Sequence, residues 1–321
     1  MAPHLAHTEI ETTRAAALAA HGHTWGWEIP IYLFLGGLVA GIMLAVSASV
    51  LMLGREKVTQ AMKRGLLAAP VLLSLGMGAL FIDLTYKLHV FRFYTTFRAT
   101  APMSLGSWVL LLVYPVQIGL VLAMPPDWIE PWLARLLEEV PTLRKVRTFA
   151  ERHVRRLAWA ALISGVALGV YTGVLLSATV ARPLWSSGAL GFLFLASGAS
   201  TGVAALMVLE RDHRMQGIWA RADLALIAVE LMVIVLWLVG LATQGPVYRE
   251  AAALVVTGPY APFFVGMVVF GGLLLPAALE ALSLRGKALH SRWVPALVLF
   301  GGLLLRFVIV YAGQDVSFVK G

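Results

Sequence analysis

The segment Leu297-Val-Leu-Phe-Gly-Gly-Leu-Leu-Leu-Arg-Phe-Val-Ile-Val-Tyr311 is apolar enough to cross a lipid bilayer, yet it carries Arg306 near its middle. A guanidinium at that depth costs about 2.5 to 3.5 kcal/mol on insertion scales unless a partner or a wet cavity compensates for it. Two interpretations follow. Arg306 is either half of a structural ion pair or part of a route for protons, ions or a cofactor through the membrane.

The whole chain has the composition of a multi-pass membrane protein. Of its 321 residues, 60% are hydrophobic and only 13% are charged, and the mean hydropathy is +0.83. About eight segments are continuously apolar over the ~20 residues that a transmembrane helix needs, whereas barrel strands would alternate in polarity. We therefore predict an all-α integral membrane protein. The predicted spans are Ile29–Leu53, Leu66–Tyr86, Leu105–Met124, Leu157–Val180, Leu190–Leu209, Ala222–Thr243, Tyr260–Leu284 and Val294–Gly313.

Basic residues predict the orientation of these helices, because Lys and Arg concentrate in cytoplasmic loops. Most of the 25 Lys and Arg lie in the connections that follow the first, third, fifth and seventh helices. We therefore expect a bacterial inner membrane protein with both tails, residues 1–28 and 314–321, in the periplasm. Residues 1–28 lack the apolar core of a signal peptide. The formal net charge of +8 marks the cytoplasmic surface, so a nucleic-acid partner is not expected.

Three helices (29–124) precede a polar, basic connection (125–156), and five helices (157–313) follow it. The connection contains Trp128 and Trp132 and is predicted to form an amphipathic helix on the cytoplasmic interface. Leu33-Phe34-Leu35 recurs as Leu193-Phe194-Leu195, at the start of the first and fifth helices. This weak repeat is the pattern that a duplication of four helices plus four helices would give, although short matches are also common in apolar sequence.

Carboxylates within or near the predicted spans are candidates for proton chemistry. Glu230 and Arg306 come to comparable depths, about 12 and 18 Å from the cytoplasmic ends of their helices. They form either a proton pathway or the ion pair of the structural interpretation. Glu280 lies nearer the cytoplasmic rim and joins the pathway candidates, although a solvated carboxylate explains it as well. Asp83 lies late in the second helix, near the outer interface, and His89 follows it.

Residues that hold metals or redox centres are absent from the expected positions. The chain has no cysteine, which excludes thiolate-ligated zinc and iron–sulfur clusters on this subunit. None of the 8 histidines falls at the centre of a predicted span, where axial ligands of a transmembrane heme would stand. We expect no heme and no metal on this chain, but it could meet a lipid-soluble two-electron carrier at one membrane face.

Five motifs add a family resemblance that runs from residue 25 to residue 314. They are Tyr32-Leu-Phe-Leu-Gly-Gly-Leu-Val-Ala-Gly41, Ala101-Pro-Met-Ser-Leu-Gly-Ser-Trp108, Tyr171-Thr-Gly-Val-Leu-Leu-Ser177, Pro183-Leu-Trp185, and Gly301-Gly-Leu-Leu-Leu-Arg306 with Ala312-Gly-Gln314. In combination they resemble the NrfD/PsrC family of polysulfide-reductase-type membrane subunits. The resemblance implies two four-helix bundles, no heme, and a quinone or quinol site near the outer face. It also implies a periplasmic partner with four iron–sulfur clusters, together with a molybdopterin catalytic subunit or a multiheme cytochrome.

The resemblance assigns roles to individual side chains. Tyr171 matches the helix-four tyrosine that such proteins place at the quinone carbonyl, and Asp83 approximates their acidic residue in helix two. Tyr32 stands where the polysulfide reductase type carries a histidine. A quinone site needs hydrogen-bond partners for two carbonyls, a proton path and an apolar slot. The residues predicted in the outer third of the membrane are Tyr32, Asp83, His89, Tyr171 and Ser104, with Trp108 able to stack on the quinone ring.

We therefore expect a membrane subunit of a respiratory oxidoreductase that oxidises or reduces menaquinone or ubiquinone near the periplasmic face. It would exchange electrons with an iron–sulfur partner, with proton translocation through Glu230, Arg306 and Glu280. Two alternatives use the same sequence features. One is a proton or ion transporter built on these charged residues, and the other is a passive membrane anchor of a redox complex.

Overall fold

The computed structural model describes residues 25–84, 102–178, 182–285 and 293–316, which form helices and short connections without a strand. Eight helices within these ranges are long and apolar enough to cross a membrane, which confirms the predicted all-helical fold. In chain order the helices are α1 (Glu28–Leu53), α2 (Gln60–Asp83), α3 (Pro102–Ala123), α4 (Glu130–Glu139), α5 (Pro141–Arg152), α6 (Val154–Ser177), α7 (Ala189–Leu209), α8 (His213–Gln244), α9 (Pro246–Val256), α10 (Pro262–Leu284) and α11 (Trp293–Asp315). All but α4, α5 and α9 are candidate spans.

Capping residues start two spans several residues before their apolar runs. At the start of α2, Thr59 Oγ1 accepts a hydrogen bond of 3.4 Å from the backbone N–H of Met62. At the start of α8, Asp212 Oδ1 accepts one of 2.9 Å from the N–H of Arg214. Side-chain caps satisfy the otherwise unpaired donors of a helix N-terminus, so both helices continue into polar sequence that hydropathy alone does not assign to them.

The single amphipathic helix predicted between residues 125 and 156 is two helices, α4 and α5. Pro141 begins α5, and Val140 before it is extended, with φ −118° and ψ 91°, because a residue that precedes proline is disfavoured in the helical region. The two helices are tied together by Arg147 of α5. Its guanidinium donates to Glu130 at 2.6 Å and to Glu151 at 2.8 Å.

Helix α1 lies at the centre of the protein and contacts α2, α6, α7 and α11. It crosses α7 closely, because their glycines bring the two backbones together. A Cβ added to Gly41 would lie 2.8 Å from the carbonyl carbon of Gly198 and 2.9 Å from the Cα of Gly202. Small residues allow this approach in a medium that provides no hydrophobic drive between helices. The grouping into two four-helix bundles stays a prediction.

Helices α10 and α11 also cross at glycines. A Cβ on Gly272 would lie 2.6 Å from the Cα of Gly301. Over Pro262–Leu274, α10 is a π-helix, and it becomes α-helical over Leu275–Leu284. A π-helix of this length is uncommon.

The start of α1 and the end of α11 are bonded to each other. The N–H of Trp25 donates to Gln314 Oε1 at 2.9 Å, and Gln314 Nε2 donates back to the carbonyl of Trp25 at 3.1 Å. The Trp25 ring stacks on Trp185 at 5.0 Å. Arg182 donates to the carbonyl of Gln314; burial lowers the pKa of Arg182, and the nearby carboxylate of Asp315 acts in the opposite direction. We call these contacts the terminal clasp.

Candidate functional site

Arg306 is fully buried where α1, α7 and α11 meet. Its Nη1 donates to the hydroxyl of Ser197 and to the carbonyl of Gly302 at 2.9 Å, while Nη2 donates to the carbonyl of Phe194 at 3.2 Å. The guanidinium carbon also lies 4.9 Å from the centre of the Phe194 ring, a cation–π distance. On the α1 side, a Cβ on Gly37 would lie 3.1 Å from Nη2. The Arg306 guanidinium is therefore bound by one hydroxyl, two backbone carbonyls and the face of an aromatic ring, all of them uncharged groups.

Glu230 of α8 is buried beside the same hydroxyl that Arg306 uses. Its carboxylate lies next to Ser197 and attracts the Arg306 guanidinium. No carboxylate of the described residues lies within 4.0 Å of Arg306. The direct Glu230–Arg306 ion pair considered from the sequence is therefore not formed, because Ser197 takes the hydrogen-bonding position that a carboxylate would fill.

A pair of buried carboxyl groups continues from Glu230 toward the start of α8. Ser200 of α7 donates to Asp223 Oδ1 at 2.6 Å, and the Asp223 carboxyl lies against that of Glu280 on α10. Both acidic side chains are buried. Asp223 Oδ2 and both Glu280 oxygens receive no N–H or O–H bond from the part of the chain that the structure describes. Glu280 thus lies inside the protein and not at a solvated rim.

Six side chains of α7, α8, α10 and α11 make up what we call the polar file: Glu280, Asp223, Ser200, Glu230, Ser197 and Arg306. Asp223 and Glu230 are two helical turns apart and share one face of α8, and the two serines share one face of α7. Asp223 is not among the site residues predicted from the sequence, because it is the second residue of the predicted span and resembles a polar border. Neither serine is among them, because a serine within a span has no distinctive sequence signal.

Tyr171 of α6 packs directly against α3. The ring is buried, and a Cβ on Gly106 would overlap the phenol group, so only glycine leaves room for it. Ser104 and Ser107 are buried within one turn of Gly106, whereas Trp108 is 43% exposed. The segment Ser104–Trp108 therefore carries two buried hydroxyl groups and an exposed indole ring on either side of the glycine that contacts the phenol.

Tyr32 of α1 belongs to the same buried cluster as Tyr171. Its ring also approaches α2, since a Cβ on Gly76 would lie 3.6 Å from Tyr32 Cδ2. Asp83 is half-buried at the end of α2, where it faces the carboxylate of Glu28. The two tyrosines thus belong to one buried cluster, and Asp83 lies beside a second acid. His89 lies outside the described residues.

Tyr32 and the polar file approach each other along α1. Gly37, over which the Arg306 guanidinium rests, follows Tyr32 by five residues, about 7.5 Å along the helix axis. Arg306 is therefore the end of the polar file nearest to the tyrosines, and the Asp223–Glu280 pair is the far end. Within the described ranges, no three His, Cys, Asp or Glu side chains come together as a metal site.

Comparisons with known proteins agree with the motifs. The family described as "Polysulphide reductase, NrfD" matches residues 18–317. The C subunit of the polysulfide reductase of Wolinella succinogenes is 31% identical over 305 residues, covering 90% of this protein and 94% of that subunit. Protein NrfD of Escherichia coli is 30% identical over 328 residues, covering 94% and 98%. The NrfD homolog of Haemophilus influenzae is 28% identical over 306 residues, covering 90% and 94%.

The family match includes every helix described above, and the match to each relative covers at least 90% of this protein. The protein therefore belongs to the NrfD family of polysulfide-reductase-type membrane subunits.

Proposed function

We propose that this protein is the quinone-reactive membrane subunit of a respiratory oxidoreductase in a bacterial cytoplasmic membrane. It oxidises or reduces menaquinone or ubiquinone near the outer face and exchanges electrons with an iron–sulfur partner. The observation that carries the proposal is the phenol of Tyr171, buried over Gly106 in the helical turn that also carries the buried Ser104 and Ser107. Membership of a family that includes a polysulfide reductase subunit supports it.

The chemistry of this donor set fits a quinone head group. A quinone presents two carbonyl oxygens that accept hydrogen bonds, and an isoprenoid tail that requires an apolar entrance. Tyr171 and Ser104 are O–H donors, and the exposed Trp108 ring provides a flat apolar surface on the lipid side. When bound, the quinone supplies two-electron, two-proton chemistry. Tyr171 orients the head group, while Asp83 and His89 exchange protons with the outer aqueous phase.

The proposed orientation puts both tails and the quinone site on the periplasmic side. It rests on the basic residues of the odd-numbered connections, and the terminal clasp is consistent with both tails on one side. Electrons tunnel only over short distances, and we expect no heme on this chain. The four-cluster iron–sulfur partner, with a molybdopterin subunit or a multiheme cytochrome behind it, therefore docks at the outer face.

The polar file is our proposed proton pathway between the cytoplasm and the quinone site. Two carboxyl groups in contact, as in the Asp223–Glu280 pair, can hold a proton between their oxygens. The hydroxyls of Ser200 and Ser197 can both accept and donate a proton; Ser200 bonds to Asp223, and Glu230 lies beside Ser197. Arg306 keeps a positive charge at the end nearest Tyr32, where it attracts the negative charge that a departing proton leaves behind.

One experiment separates the proposal from its two alternatives. The membrane complex is purified with its partners and reconstituted in liposomes, and quinone turnover and pH change are measured together. A quinone-reactive subunit gives turnover that depends on Tyr171. A proton or ion transporter gives flux without added quinone. A passive anchor gives turnover that is indifferent to changes at Tyr171 and at the polar file, and this result would overturn the proposal.

A further inference from the structure

Helix α5 turns one face away from the rest of the protein. Arg144, Lys145, Thr148, Phe149 and Arg152 recur at the spacing that puts residues on one side of a helix, and all five are exposed. Together with His153 they line a shallow cleft of about 350 Å³. The opposite side of α5 is occupied, since Ala150 is buried and Leu143 packs against α4.

The three cations of this face have no acidic partner among the residues that the structure describes. Arg147, on the neighbouring side of α5, is paired with Glu130 and Glu151. In contrast, no carboxylate of the described ranges lies within 4.0 Å of Arg144, Lys145 or Arg152. The exposed face of α5 therefore carries a concentrated positive charge on the surface of the protein.

Large aromatic side chains accompany this charge. Phe149, in the middle of the cationic face, is 61% exposed, and Trp128 and Trp132 in the preceding segment are each 65% exposed. Aromatic rings next to basic residues are typical of helices that lie in the headgroup region of a bilayer. The position of α5 agrees, because it contacts both α3 and α6, and α6 begins at Val154, directly after α5.

We propose that the exposed face of α5 binds the phosphate group of an anionic phospholipid, in the leaflet that borders the connection between α3 and α6. Arg144, Lys145 and Arg152 donate charge-assisted hydrogen bonds to the phosphate oxygens. Phe149 enters the boundary between headgroups and acyl chains, and Thr148 lies at the centre of the cleft. The proposal does not depend on the quinone chemistry of the opposite membrane face.

The absence of cysteine allows a direct test with a single label. Thr148→Cys in the full-length protein carries an environment-sensitive fluorophore, and the protein is reconstituted in nanodiscs of phosphatidylcholine with increasing phosphatidylglycerol. We expect a saturable blue shift as phosphatidylglycerol increases. In the labelled protein that also carries Arg144→Gln, Lys145→Gln and Arg152→Gln, the phosphatidylglycerol fraction at half-saturation should rise by about fivefold or more. Each basic residue near a membrane surface adds to the attraction.

Two further variants keep the test decisive. Arg144→Lys with Arg152→Lys retains the charge and should retain the response. Arg211→Gln, Arg214→Gln and Arg221→Gln, all exposed at the start of α8, remove the same number of charges from the same side and should leave the midpoint unchanged. If the triple Gln variant of α5 and the triple Gln variant near the start of α8 weaken the response to phosphatidylglycerol equally, the response reflects general surface charge, and the proposed site is overturned. No response to phosphatidylglycerol, or an equal response to millimolar inorganic phosphate in phosphatidylcholine alone, would also overturn it.

Discussion

The phenol of Tyr171 on α6 and the backbone of Gly106 on α3 occupy adjoining space, so that a Cβ on residue 106 would overlap the phenol group. This contact explains the glycine of the motif Ala101-Pro-Met-Ser-Leu-Gly-Ser-Trp108 by packing alone. It also makes the position of the phenol dependent on a residue that has no polar side chain of its own.

We expect Gly106→Ala to lower quinone turnover per assembled complex by about tenfold or more, because displacement of a positioning group by about 1 Å costs rates of this order. Gly119→Ala on the same helix is the matched control, since its Cβ would meet Leu157 at an ordinary 3.4 Å. Turnover is measured with the purified complex. Equal activity of the two variants would show that Tyr171 does not need its present position.

Tyr171→Phe and Asp83→Asn should each lower quinone turnover without lowering the amount of complex. Tyr171→Phe removes one hydrogen-bond donor and leaves the buried ring in place, and general acid groups contribute about 10²-fold or more to rates. Tyr114→Phe on α3 serves as the control, because its hydroxyl faces Ser74 at 3.0 Å. Normal turnover in both site variants would remove these residues from the quinone site.

Glu230→Gln and Arg306→Gln should allow assembly but reduce the pH change per quinone turned over in vesicles. Glu230→Gln keeps the shape of the side chain and its position beside Ser197, and it removes the group that carries the proton. A purely structural pair predicts a different pattern. Each single change would then strand a buried charge at a cost of about 3 to 5 kcal/mol and deplete the folded protein.

The variant that carries both changes distinguishes these outcomes. If Glu230 and Arg306 only stabilise each other, the double variant recovers the yield of folded complex and couples protons normally. If they belong to a proton pathway, the double variant assembles and stays uncoupled. The measurements are the amount of purified complex and the proton-to-quinone ratio.

Asp223→Asn and Glu280→Gln should reduce proton coupling to similar extents, and their combination should be no worse than either alone. Residues that act as one unit give non-additive losses, and these two carboxyl groups lie in contact. Glu138→Gln, on the exposed surface of α4, is the control. Fully additive losses would argue that the two groups act separately.

Gly198→Ala should destabilise the protein by about 1 to 3 kcal/mol, the usual cost of forcing extra volume into a filled contact. A Cβ there would lie 2.8 Å from the carbonyl oxygen of Gly37 on α1. Gly240→Ala on α8 meets nothing within 4 Å and should not lower stability. Thermal unfolding in detergent compares the two variants. Equal melting temperatures would contradict the close crossing of α1 and α7.

The number and course of the spans could be predicted from the sequence, because twenty consecutive apolar residues have few structural alternatives. The ends of the helices are harder to predict from the sequence. Asp212 extends α8 into polar sequence by capping its first turn, and Pro141 divides the connecting helix in two. Both effects are local chemistry that hydropathy averages away.

The surroundings of Arg306 could not be predicted for a different reason. A buried cation suggests a carboxylate partner, but the groups that bind it are two carbonyls and the hydroxyl of Ser197. Every residue has a carbonyl, so these partners leave no signature in the sequence. Asp223 meets Ser200 only if α7 turns the right face toward α8. The rotation of α7 about its axis depends on its glycine contacts with α1, which lies far away in the sequence.

The terminal clasp holds the start of the first span next to the end of the last span, so the same spans could follow one another in a different order along the chain and still pack as they do. Because Trp25 and Gln314 exchange two hydrogen bonds, a short peptide could join them and leave every helix in place. A circularly permuted gene opened between Leu209 and His213 would then begin with α8 and end with α7. Its new ends would emerge on the opposite side of the bilayer, which offers a way to attach reporters there without cutting any helix.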